Sequence, residues 1–340
     1  MFLYKEGASQ KNLWCSFVCV AELPYFCTMK YGVIGTGAIG GYYGAKLARA
    51  GKDVHFLLHS DYEFVKENGL YVDSVDGSFH LTDVHAYGDV REMPPCDVVL
   101  VCLKSVRNQL LKELLPPLLK QPSPKGGNGT LVVLIQNGIG LEADVQQMFP
   151  DVQLAAGLAF ICSAKTEPGR VNHQCYGYIN IGNYSCRQQA LIDSVVADFR
   201  EAGVDANEVE YHEARWKKAV WNMPFNGMTV ALDTQTDLLL KHPATLQLIR
   251  EQMLEVIEAA QACGVKNIDK SFADKMIDNT LHMTPYSPSM KLDFDYHRPM
   301  EIDYLYTRPI EEARKAGFRM AKLEMLEAEL RFLQEEKNRL

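Results

Sequence analysis

Membrane-length apolar runs, metal-spaced cysteines and excess positive charge are all missing from this chain. The apolar run from Leu13 to Val20 is too short to cross a bilayer, and Glu22 and Pro24 end it. Lys5 and Lys11 offer a charged region for a signal peptide, yet no clear small-residue cleavage site follows. The nine cysteines are an odd number and include no CxxC pair or Cys/His cluster at zinc spacing, so no metal is expected. Several stand in apolar surroundings and read as buried thiols in a reducing compartment, the cytoplasm. A formal charge of −8 argues against partners that are nucleic acids or anionic membranes. It does not exclude an anionic small molecule, since a few lysines lining one cleft can hold one. No repeat at solenoid spacing is present. What remains is an ordinary globular composition over 340 residues, enough for two domains with separate cores.

The most informative segment runs from Lys30 to Gly40. A short apolar strand enters the turn Gly35-Thr36-Gly37-Ala38-Ile39-Gly40, and a small-residue helix follows through Ala45, Leu47, Ala48 and Ala50. In a dinucleotide site Gly35 makes the turn, Gly37 lets backbone approach a pyrophosphate, and Gly40 lets the helix lie against the sheet. The helix N-terminus then presents free N–H groups and partial positive charge to the phosphates. A second strand, Val54 to Leu58, ends in His59-Ser60 rather than the carboxylate that holds an unphosphorylated ribose. Asp61 is displaced into a capping-box sequence, Ser60-Asp61-Tyr62-Glu63, where it reads as a first-turn acid. The missing carboxylate favours NADP(H) over NAD(H).

From Met29 the pattern alternates strand and helix, which implies a doubly wound, mostly parallel α/β sheet. Expected elements are a hairpin over Leu70 to Val72 and Phe79 to Leu81, strands Asp97 to Leu103 and Leu131 to Ile135, and a helix from Gln109 to Leu119 interrupted by Pro116-Pro117. Further strands are expected near Leu154 to Ile161, Arg170 to His173 and Tyr178 to Ile181, then a helix from Gln188 to Ala202. Beyond about Tyr211 only helices follow: Ala214 to Val230, Ala244 to Cys263, Ser271 to Leu281, Glu301 to Lys315 and Ala321 to Glu336. The division is an extension outside the fold (1–28), a Rossmann-type dinucleotide domain (29–210) and an all-α substrate domain (211–340). Gly35, Lys104 and Asn137 all fall at carboxyl ends of strands, where open α/β sheets bind ligands.

In the stretch Trp216 to Asn226, Lys218, Asn222 and Asn226 are spaced i, i+4, i+8 and share one helix face. One ammonium and two carboxamides among aromatic residues suit a polar ligand. An ordinary solvated face with a snorkelling lysine fits the spacing equally well, and Pro224 should kink the helix.

With these residues the chain resembles the ketopantoate reductase family, NADPH-dependent 2-dehydropantoate 2-reductases. The resemblance runs from Met29 almost to the C-terminus. It is carried by Gly-Thr-Gly-Ala-Ile-Gly-Gly-Tyr-Tyr-Gly, Leu103-Lys104, Gln136-Asn137-Gly138, the Trp-x-Lys-x-x-x-Asn-x-x-x-Asn helix, and Ser289 followed by Glu301-Ile302-Asp303. It implies that Lys218 is the general acid and Glu301 an essential carboxylate beside substrate and cofactor. Asn222, Asn226, Ser289 and Asn137 would bind the 2-keto acid, and Asn137 and Lys104 would lie near the nicotinamide. Gly35 to Gly40, His59 and Ser60 would hold the rest of the NADP(H). The implied pathway leads to pantothenate and coenzyme A. Another 2-keto acid, or an NADP(H)-binding sensor without turnover, are the alternatives; a sensor needs neither Lys218 nor Glu301.

Two departures stand out. His59 occupies the place where family members commonly carry an arginine for the 2′-phosphate, and Phe318-Arg319-Met320 lacks the prolines often found before the last helix. The stripe Leu323, Leu326, Leu330 and Leu333 is expected to pack on the helical domain, with a homodimer seam as the alternative.

Overall fold

A computed structural model describes residues 29–121, 129–283 and 285–339. The expectation for residues 1–28 lies outside them. Ten strands form one sheet: β1 (Lys30–Ile34), β2 (Asp53–Leu57), β3 (Leu70–Ser74), β4 (Phe79–Leu81), β5 (His85–Tyr87), β6 (Val98–Val101), β7 (Leu131–Leu134), β8 (Gln153–Glu167), β9 (Arg170–Asn183) and β10 (Ala206–Val209). Their order is β4-β3-β9-β8-β7-β6-β1-β2-β5, with β10 against β9. Only β3/β4 and β8/β9 pair antiparallel. The central strands β6 and β7 are buried at every residue, which is why they read as unbroken apolar runs rather than alternating ones.

Helices α1 (Ala38–Arg49), α2 (Tyr62–Asn68), α3 (Leu111–Leu114), α4 (Leu141–Met148) and α5 (Gln189–Glu201) accompany the sheet. From Tyr211 onward the chain is helical: α6 (Tyr211–Ala231), α7 (Thr236–Lys241), α8 (Pro243–Ala262), α9 (Ser271–Leu281), α10 (Ser289–Asp295), α11 (Arg308–Lys315) and α12 (Ala321–Arg339). Separate apolar cores fill the two faces of the sheet and the helical half.

Several expectations are corrected. The strands Arg170 to His173 and Tyr178 to Ile181 are one strand, β9, whose pairing shifts register beside Tyr176 and Gly177, both at positive φ. Gln109 to Leu119 is not one helix but two 3₁₀ turns around the four-residue α3. Glu301 to Lys315 opens with a π-helical turn, Asp303–Thr307, before α11. Pro224 lies inside α6 without ending it. The elements β5, α4, β10, α7 and α10 were not anticipated. The stripe on α12 is internal: Leu323, Leu326 and Leu330 are buried, and Leu333 packs against the same core, so these leucines offer no seam to a second copy.

Two of the three motif glycines in the turn after β1, Gly35 and Gly40, have no spare room. Gly35 has φ +92°, and a Cβ there would lie 2.7 Å from the Leu103 nitrogen. A Cβ on Gly40 would lie 2.4 Å from the Gly35 carbonyl oxygen. Gly40→Ala must therefore move backbone, and should lower the urea unfolding midpoint by an amount equivalent to about 1–3 kcal/mol. Gly37→Ala, where a Cβ meets nothing within 4 Å, should leave the midpoint nearly unchanged.

Candidate active site

A cleft of about 2010 Å³ is lined by the carboxyl ends of β1, β2, β6 and β7, by β8, and by residues of α6, α9 and α10. It exceeds the usual small-molecule pocket of roughly 300–1,000 Å³ and has room for an extended cofactor beside a small acid.

At one wall stand Gly35, Thr36, Gly37, Ala38 and Ile39. Thr36 donates its hydroxyl to the Leu57 carbonyl at 2.9 Å, tying the loop to the tip of β2. No side chain caps the N-terminus of α1 and no acid sits in its first turn. Together with the open space at Gly37, these uncapped N–H groups fit a pyrophosphate. Gly40, expected among the cofactor contacts, does not line the cleft; it is buried under the loop, where its lack of a side chain lets α1 pack close.

His59 and Ser60 are exposed on the cleft wall. Asp61 does not cap α2: no side-chain cap bond forms there, so the capping-box expectation fails. Its buried Oδ2 instead accepts the Gly169 N–H at 3.1 Å and pairs with the Lys165 ammonium at 2.6 Å. The turn of the long β8–β9 hairpin reaches this helix and supplies partners stronger than the helix dipole.

Lys218 enters the cleft from α6. Its ammonium donates to the Ala159 carbonyl at 2.5 Å and lies 4.9 Å from the centre of the Phe160 ring, which itself stacks on Tyr178. Part of the side chain is exposed to the cleft, but the charged end is packed deep. Burial first, and the Arg215 guanidinium second, pull its pKa down from the ordinary lysine value to about 7; Glu301 pulls weakly the other way.

Arg215 was not singled out from the sequence, although it sits three residues before Lys218 on the same face. Both of its terminal nitrogens are engaged with the sheet half, while its buried Nε finds no partner among the described residues. Its guanidinium donates to the Gln136 carbonyl at 2.6 Å and pairs with the buried Glu142, which also accepts the Tyr211 hydroxyl at 2.8 Å. The Gln136-Asn137-Gly138 turn is thus fastened directly to the helix that carries Lys218. Asn137 lines the cleft beside it.

The remaining candidates divide into free and engaged groups. Asn222 is nearly buried, lines the cleft, and its side-chain amide makes no hydrogen bond among the described residues. Asn226 is occupied: its amide donates to the Asn222 carbonyl at 2.9 Å, and its oxygen accepts the Met290 N–H at 3.3 Å. It therefore positions α10, whose first residue, Ser289, faces the cleft. Glu301 accepts both the N–H and the hydroxyl of Ser105 at 2.8 Å, and its other oxygen lies 3.8 Å from the Lys104 ammonium. Lys104 pairs with the buried Asp293 of α10. Ser105 and Asp293 escape sequence reading because their partners are 196 and 189 positions away.

Comparison with known proteins follows the same plan. The family described as "Ketopantoate reductase PanE/ApbA" matches residues 31–185, and its C-terminal counterpart matches residues 210–334. A 2-dehydropantoate 2-reductase of Nostoc sp. is 42% identical over 310 residues, covering 89% of this chain and 95% of that protein. The crystal structure of 2-dehydropantoate 2-reductase from Geobacter metallireducens superposes with a TM-score of 0.84 at 38% identity, covering 89% of this chain and 99% of the other. That from Methylococcus capsulatus gives 0.80 at 32%, covering 91% and 98%.

The Lys218 environment is directly testable. Carbon-13 NMR of labelled lysine should show its side chain titrating near pH 7. Arg215→Met combined with Glu142→Gln, which removes the neighbouring cation without stranding its partner, should raise that midpoint.

Proposed function

The chain belongs to the ketopantoate reductase family, and on that premise we propose that NADPH is its hydride donor and Lys218 its proton donor. The reaction is the reduction of 2-dehydropantoate to pantoate, the oxidoreductase step toward pantothenate. One observation carries the mechanistic reading: a buried ammonium with a pKa near neutrality shares a cleft with an uncapped, glycine-lined helix N-terminus.

Bound NADPH supplies the hydride that reaches the ketone carbon. Charge then develops on the ketone oxygen, and Lys218 meets it with a proton. An acid whose pKa lies near the working pH is both protonated enough to act and acidic enough to give the proton away. Burial and Arg215 provide the acidity; Glu301 keeps part of the population charged. The Ala159 carbonyl fixes the direction of the ammonium, and so holds one of its three donors while leaving two for substrate.

Asn222 and Ser289 bind the keto acid, Asn222 through an amide that the protein leaves unused. Asn226 acts through them, by holding α10 in place. Glu301, Lys104 and Asn137 border the nicotinamide end. At the other end, His59 and Ser60 face the 2′-phosphate, and Asp61, the carboxylate nearest the β2 tip in sequence, is committed to Gly169 and Lys165 rather than open to a ribose hydroxyl. That commitment supports NADPH over NADH. The six cysteines among the described residues are all free thiols, in keeping with a cytoplasmic enzyme. Among the same residues no helix is long and apolar enough to cross a membrane.

Lys218→Ala should lower turnover by about 100-fold or more while NADPH binding stays near that of the unsubstituted enzyme. With protonated Lys218 as the acid, kcat/KM for reduction should be level below about pH 7 and fall as pH rises through and beyond it. Both are read from loss of NADPH absorbance with 2-dehydropantoate, and full activity in Lys218→Ala would remove the proposed acid. Parallel assays should show the enzyme preferring NADPH to NADH.

A further inference from the structure

We propose that Lys165, from the far end of β8, is the principal cation for the 2′-phosphate of NADPH in this enzyme. The proposal rests on the reading of NADPH as the donor and assigns to another strand a task that His59 alone performs poorly. His59 and Ser60 stand on the cleft wall at the end of β2, where a Rossmann-type sheet holds the adenosine ribose. A histidine is at most partly charged near neutrality, so it is a weak permanent counter-charge for a phosphate.

Lys165 lines the same cleft and brings an amine to it. Its ammonium is 2.6 Å from Asp61, which is only two residues past His59, so the cation is delivered to the ribose end from a strand more than a hundred positions away in sequence. About 29% of the side chain is exposed, so it is reachable from the cleft. Asp61 holds the ammonium in an ion pair and is itself pinned by the Gly169 N–H, leaving donors on Lys165 for a ligand. Asp61 is thus a positioning residue, holding the lysine at the β2 tip. Arg91, another cation lining the cleft, is folded back onto Asp89 through both Nε and a terminal nitrogen. Lys165 also has the chemistry the site needs: a compact point charge suited to a phosphate.

The test compares 2′-AMP with 5′-AMP by calorimetry, together with the ratio of kcat/KM for NADPH to that for NADH. In Lys165→Met the affinity for 2′-AMP should fall about tenfold or more, with a matching fall in the NADPH/NADH ratio, as expected for loss of one charge-assisted phosphate contact. Affinity for 5′-AMP, which lacks the 2′-phosphate, should change by less than about twofold. Because Lys165→Met strands the buried Asp61 carboxylate, Lys165→Met with Asp61→Asn is measured too and should show the same loss of 2′-phosphate selectivity. Lys165→Arg should restore most of it. Selectivity retained in both lysine-to-methionine variants, with the unsubstituted enzyme selective, would overturn the role of Lys165 and leave the choice of NADPH standing. An unsubstituted enzyme with no preference for 2′-AMP or NADPH would overturn both.

Discussion

The buried pair of Arg215 and Glu142 is the constraint on which the site depends. Arg215 belongs to the first turns of α6, Glu142 to the helix that follows β7, and both are inaccessible to solvent. Burying two charges costs several kcal/mol per ion and is recovered only when the pair is close and its remaining donors and acceptors are met. Here Glu142 takes the Tyr211 hydroxyl as well, and the terminal nitrogens of Arg215 reach the carbonyls of Gln136 and Leu134, leaving only its Nε without a partner among the described residues. Such an arrangement tolerates little rotation or sliding of α6 against the sheet. It sets the angular position of Lys218, three residues on, and adds the positive potential that keeps its amine near its titration point. Docking of the two halves and acidity of the Lys218 amine therefore share one cause.

Around that pair the cleft residues sort by how many of their polar atoms are already committed. Asn226, Glu301 and Lys104 are tied to Met290, Ser105 and Asp293 and frame the space. Asn222 stands without a partner among the described residues and is ready for a ligand. The Lys218 ammonium lies between these cases, held by one carbonyl with capacity left over. A rigid frame around a few unspent groups is what orientation of a small, flexible keto acid requires.

The glycine turn, the central strands and the Lys218-Asn222-Asn226 face were legible because each is a local pattern. A turn at positive φ demands glycine, doubly buried strands are continuously apolar, and residues four apart meet on a helix. The elements that escaped notice are short and depend on distant contacts: β5 and β10 have three and four residues and exist as edge pairings. The seven-residue α10 is held at its start by Asn226, 64 positions earlier. Asp61 shows the same limit from the other side. Its neighbours in sequence suggest a first-turn helix acid, but the turn at Gly169, 108 positions later, offers a better-paired home for a buried carboxylate. Arg215 carries no local signal of its role, because its partner Glu142 lies 73 positions earlier in the chain.

The fifteen-residue strand β8 has a consequence of its own. Near its middle, Ala159 grips the Lys218 ammonium; toward its end, Lys165 reaches the tip of β2. Six residues of extended chain span about 20 Å, less whatever the register shifts after Phe160 and Cys162 take up. On the assignments made here, one piece of backbone works as a ruler laid along the bound dinucleotide, gauging the distance from its reactive ring to its phosphate tag. A deletion between those marks would put the two ends out of step without altering the chemistry of either.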